Sequence, residues 1–72
     1  MNNLNMAKIQ LNGNTYEISM KTNLNELLNT LKIEKSKVAV EINGEIVEKN
    51  KYTKIILKKD DKVEIVHFIG GG

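Results

Sequence analysis

The chain has 72 residues, 40% of them hydrophobic, with 11 basic and 9 acidic side chains and no cysteine. That length gives one domain, whose core at this size shields only about 60% of the unfolded surface, and the missing thiols exclude disulfide staples, cysteine-ligated zinc and iron–sulfur clusters. Every basic residue is a lysine, scattered among Asp, Glu and Asn, which argues against nucleic acid as a partner, and no apolar run approaches the ~20 residues of a membrane span.

Residues 1–5 are polar and unpatterned and read as a disordered leader. They lack the basic and apolar blocks of a signal peptide, so a cytoplasmic protein is expected. Ala7, Ile9 and Leu11 then alternate with Lys8 and Gln10, the period of a strand with one buried face. Asn12-Gly13 supplies the positive φ angles of a tight hairpin turn. The second run places Tyr16, Ile18 and Met20 on one face and Thr15, Glu17 and Ser19 on the other.

At residue 24 the period changes. Leu24, Leu27, Leu28 and Leu31 stand at i, i+3, i+4 and i+7, one apolar stripe on a helix of about ten residues. Asn23 occupies the N-cap position and Glu26 completes a capping box. Val38, Val40 and Ile42 next alternate with Ala39 and Glu41, and Asn43-Gly44 turns the chain into Ile46-Val47. Tyr52 and Leu57 are core contacts from an irregular connection, Lys58-Lys59-Asp60-Asp61 is a polar turn, and Val63 and Ile65 mark a final strand.

The order β-β-α-β-β-β, the fourth strand short, is that of an α+β β-grasp (ubiquitin-like) fold. It has one helix packed on one face of a mixed four- to five-strand sheet. The expected division is a leader at 1–5, a monomeric domain at 6–69 and a flexible glycine tail at 70–72, with Ile9, Leu27, Leu28, Val40, Leu57, Val63 and Ile65 in the core.

Catalytic constellations are missing. His67 is the only imidazole and reads as a partly exposed residue at a strand end. Asp60-Asp61 reads as a solvated turn, and no catalytic residue and no metal site is assigned. The distinctive feature is the ending, since three of the five glycines are Gly70, Gly71 and Gly72. At the usual glycine frequency three together at a stated place has odds near one in ~3,000, so composition alone does not explain them. Without side chains they can thread a narrow channel in any φ/ψ that a partner imposes. The strand anchors their base through His67-Phe68-Ile69, and the terminal carboxylate is a group that ATP can activate as an acyl-adenylate. Val66 and Ile69, facing outward beside the tail, and Phe68, which either faces outward with them or packs on its own loop, are candidates for a partner interface.

Three stretches carry a resemblance to a known family: Leu24-Asn25-Glu26-Leu27-Leu28, VAVEINGEIV at 38–47 and DKVEIVHFIGGG at 61–72. Over about residues 6–72 the chain resembles the thiamin-biosynthesis sulfur carriers of the ThiS family, relatives of ubiquitin. The resemblance implies a carrier that is not itself an enzyme and holds no cofactor. Its Gly72 carboxylate would be adenylated by an E1-like (ThiF-type) enzyme using ATP, with Gly70 and Gly71 as the thread. Sulfur from a cysteine desulfurase would convert it to a thiocarboxylate, and thiazole synthase (ThiG-type) would take that sulfur for the thiazole of thiamin. The molybdopterin-synthase small subunit uses the same tail chemistry, and protein modifiers use a similar tail to form isopeptide bonds; the short chain, the FIGGG ending and the VAVEINGEIV block favour the thiamin reading. Two features depart from the family pattern. Lys59-Asp60 stands where many relatives have Pro-Gly, a change confined to a turn, and the leader is extra, with Met6 as an alternative start.

Overall fold

The computed structural model describes residues 5–69. Strand β1 spans Met6–Leu11 and β2 Asn14–Ser19; helix α1 spans Leu24–Thr30; β3 spans Val38–Ile42, β4 Glu45–Ile46 and β5 Lys62–His67. Single 3-10 turns at Lys35–Lys37 and Lys49–Lys51 fill the connections. The five strands form one mixed sheet in the order β2-β1-β5-β3-β4, the β-grasp arrangement with its sheet at five strands. β5 therefore lies at the centre, parallel to β1 and antiparallel to β3.

Both hairpins turn as their sequences require. Asn12 and Gly13 have φ of 48° and 85°, Asn43 and Gly44 of 53° and 88°, and positive φ at both central residues is the primed turn whose twist suits a hairpin. The capping box is complete: the Glu26 N–H donates to Asn23 Oδ1 at 2.7 Å, and the Asn23 N–H donates to Glu26 Oε1 at 2.9 Å. The helix is shorter than the expected ten residues because Lys32 takes φ 61°. The Lys32 N–H then donates to the Asn29 carbonyl and the Ile33 N–H to the Leu28 carbonyl, which closes the last turn as a Schellman motif.

Seven residues are too few for a helix to hold itself together in water. Leu24, Leu27 and Leu28 are fully buried, and each contributes roughly 1.5–3 kcal/mol by leaving water, so packing on the sheet stabilises α1. The core they join contains Ile9, Ile18, Val38, Val40, Tyr52, Leu57, Val63 and Ile65, including every core residue expected from the sequence. Met20 differs from expectation. β2 stops at Ser19, Lys21 takes φ 70° to leave the sheet, and Met20 is 53% exposed. At this same end of the ladder the Met20 N–H donates to the Asn5 carbonyl at 2.7 Å, so backbone pairing reaches Asn5; the rest of the expected leader, residues 1–4, lies outside the described residues.

The polar turn before β5 holds without glycine. Asp60 has φ 69°, and its N–H donates to the Lys8 carbonyl at 2.8 Å. The Asp61 carboxylate accepts from the Lys58 N–H at 2.8 Å and from Asn43 Nδ2 at 3.0 Å.

Candidate functional site

The candidate site is the place where the chain leaves the sheet, and its base is β5. Alternation along this strand buries Val63 and Ile65 against the helix and turns Glu64 and Val66 to the open face. There Val66 lies opposite Ala39, and Glu64 opposite Glu41. Ile46, opposite Glu41 in the β3–β4 pair, is also exposed. The open face beside the exit thus presents aliphatic groups next to two facing carboxylates, a pair that repels across the strands.

Main-chain and side-chain bonds hold β5 on both sides. The Gln10 N–H donates to the Asp61 carbonyl and the Asn12 N–H to the Val63 carbonyl, both at 2.9 Å. One step further along, the Asn12 carboxamide takes over: Oδ1 accepts from the Ile65 N–H at 2.7 Å and Nδ2 donates to the Ile65 carbonyl at 3.2 Å. On the β3 side Asn43 Oδ1 accepts from the Lys62 N–H at 2.9 Å, and the Asn43 N–H donates to the Lys62 carbonyl at 2.8 Å. Each Asn-Gly turn therefore clasps β5 with the side chain of its asparagine.

Beyond His67, which pairs with Val38 at the end of the ladder, a single backbone bond remains among the described residues: the Phe68 N–H donates to the Lys37 carbonyl at 2.9 Å. The interface candidates are all on the surface, with Val66 58%, Phe68 55% and Ile69 98% exposed. The structure places Val66 and Phe68 around the end of the β3–β5 ladder, and Ile69 follows them almost wholly in solvent. Gly70, Gly71 and Gly72, the residues assigned to the chemistry, lie outside the described residues. His67 is a surface residue at the strand end, as its sequence position implied.

One residue of this region had no signal in the sequence. Lys49, from the second 3-10 turn, directs its Nζ to the Val38 carbonyl at 2.7 Å. The same ammonium lies 5.5 Å from the centroid of the Phe68 ring and 5.9 Å from that of Tyr52. It is one lysine of eleven, and only the fold brings it to the exit.

Among the described residues no group of three or more His, Cys, Asp or Glu side chains could hold a metal ion, and no helix is long and apolar enough to cross a membrane. What the described residues offer chemically is a firmly rooted strand that runs out into exposed Phe68 and Ile69.

The model of the ThiS family matches residues 9–72. The sulfur carrier protein ThiS of Bacillus subtilis is 40% identical over 65 residues, covering 89% of this chain and 98% of that protein. A thiazole synthase of Magnetococcus marinus is 45% identical over 65 residues, 90% of this chain, and the chain spans only 20% of that enzyme's length. In structure, the domain is similar to the crystal structure of the thiamine biosynthesis protein (ThiS) from Geobacter metallireducens. The TM-score is 0.79 at 34% identity, covering 90% of this chain and 99% of the other.

Proposed function

Because the chain belongs to the ThiS family, we propose that it carries sulfur for thiamin biosynthesis on the carboxylate of Gly72. The observation that carries this reading is the root of the tail: a central strand clasped from both sides, followed by exposed Phe68 and Ile69 and then by three glycines. The absence of cysteine agrees with it, since no side chain could hold the sulfur instead.

In the proposed sequence a Gly72 carboxylate oxygen attacks the α-phosphorus of ATP in the active site of an E1-like adenylyltransferase. Pyrophosphate leaves and an acyl-adenylate forms. A persulfide that a cysteine desulfurase supplies attacks the carbonyl carbon and displaces AMP. A thiol then cleaves the S–S bond of the resulting acyl disulfide, forming a disulfide with the donor's sulfur and leaving the thiocarboxylate, which thiazole synthase consumes. Gly70 and Gly71 thread the partner's channel, and Val66, Phe68 and Ile69 meet the partner beside its mouth. This chain's part is to present and orient; the partner binds the ATP. The segment of thiazole synthase similar to this chain supports that enzyme as the acceptor.

Intact-mass measurement tests the proposal. With ATP, the adenylyltransferase and a sulfur donor, the chain should gain about 16 mass units, one oxygen replaced by sulfur. Deletion of Gly71 and Gly72 should abolish the gain and leave the melting temperature unchanged, because both lie beyond the last strand. Sulfur delivery by the truncated chain, or isopeptide bonds to lysine in place of a thiocarboxylate, would overturn the reading.

A further inference from the structure

Resting on the sulfur-carrier reading, we propose that Lys49 is a positioning residue: it holds the Phe68 ring and thereby fixes the point and direction at which the chain leaves the domain. β5 ends at His67, and past it, among the described residues, the backbone is tied only by the bond from the Phe68 N–H to the Lys37 carbonyl. A half-exposed ring on one such tie would turn freely between rotamers. Lys49 restrains it. Its ammonium lies 5.5 Å from the ring centroid, inside the ~6 Å range of a cation–π contact.

The ammonium is itself held, which separates this contact from a passing surface encounter. One of its three donors goes to the Val38 carbonyl at 2.7 Å, and Val38 is the residue opposite His67 where β5 ends. The neighbouring Glu48 pairs with Lys51, and none of the ion pairs among the described residues engages Lys49. The Tyr52 ring, rigid in the core, flanks the ammonium at 5.9 Å. Core, strand β3 and exit residue thus meet at one charge. A partner that accepts the tail in a deep, narrow site gains from a fixed approach, because small misplacements of a reacting group are costly in rate.

The experiment compares Lys49→Met, Lys49→Arg, Phe68→Leu and the Lys49→Met/Phe68→Leu double variant with the unaltered chain. It measures thiocarboxylate formation with the adenylyltransferase over a range of carrier concentrations, alongside melting temperatures. Positioning predicts a kcat about tenfold lower for Lys49→Met with KM nearly unchanged, since the ammonium faces its own carbonyl and rings. Lys49→Arg should restore most of the rate, because a guanidinium also binds ring faces. The double variant should be no slower than the slower single one, as both substitutions break the same contact. In Lys49→Met, a lowered melting temperature with full kcat or a raised KM at constant kcat would overturn the proposal, as would kcat losses that multiply in the double variant.

NMR of the carrier alone keeps this test separate from that of the sulfur-carrier reading. The Lys49 ε-methylene protons should be shifted upfield by ring currents, and Phe68→Leu should relieve part of that shift. Should the unaltered chain gain no sulfur, the carrier reading fails, and a Lys49 spectrum insensitive to Phe68→Leu would then refute the clamp on its own.

Discussion

The Asn12 carboxamide acts as an extra peptide group, pairing with Ile65 one step beyond the backbone bond to Val63, and the Asn43 carboxamide joins its own backbone N–H in pairing with Lys62. The sequence reading identified both asparagines by the turn they permit, which local φ preferences dictate, but their bonds to Ile65 and Lys62 depend on a strand that follows much later in the chain. Asn12→Gly separates the two roles. Glycine keeps the left-handed turn and loses both bonds to Ile65, so stability should fall by about 1–3 kcal/mol, read from urea denaturation; a loss of a few tenths would mean the turn alone matters. Tyr52 makes the opposite case. Its ring was legible as core, yet its hydroxyl is buried with no hydrogen-bond partner among the described residues, and burial raises its pKa above the ordinary 10.0. Folding therefore favours the neutral phenol: the stability linked to it is complete below pH ~10 and is lost as pH rises through the higher folded value. Tyr52→Phe removes a costly buried polar group. The variant should be as stable as the parent or about 1 kcal/mol more so near neutrality, and thermal melts above pH 10 should show it declining less.

At the scale of the element, α1 shows which parts of a short helix are written locally. Its start was legible because the capping box is a contact within four residues, and its buried stripe because the leucine spacing is helical. Its end was not. Lys32 adopts φ 61° with no glycine or asparagine to announce it, because Leu31 and Ile33, packed against the core on either side, fix the path between them. A side chain in this region carries a strain that glycine avoids. Lys32→Gly should then stabilise the domain by about 1 kcal/mol, measured as a rise in the denaturant midpoint at constant slope. A decrease would show that the helix end is held by the lysine side chain and not by the backbone motif. Met20 marks the same boundary of legibility, since alternation placed it in the strand while the turn at Lys21 ended the strand one residue before it.

The whole molecule is organised around β5, and here periodicity gave the elements while pairing set their neighbours. Alternation showed which face of each strand is buried; that the last strand lies between β1 and β3 follows from burying both hairpins and the helix stripe in one core. The Lys49 contact with Phe68 exists only because that pairing sets the second 3-10 turn beside the exit, which is why no local pattern revealed it. Because β1 and β3 hydrogen-bond to β5 and lie on either side of it, a chain ending at Lys59 should show no cooperative melting transition. A chain ending at Ile69 should melt as the full chain does. Native-like melting of the shorter one would mean the hairpins can close the sheet without β5. This central place of the final strand also has a consequence during synthesis. On the ribosome the two hairpins and the helix emerge first, with nothing yet to join them, and the joining strand comes out with the glycines directly behind it. The domain therefore closes only once β5 has come out, and a chain that stalls or is cut before β5 lacks the exposed surface that Val66 and Phe68 form beside the exit.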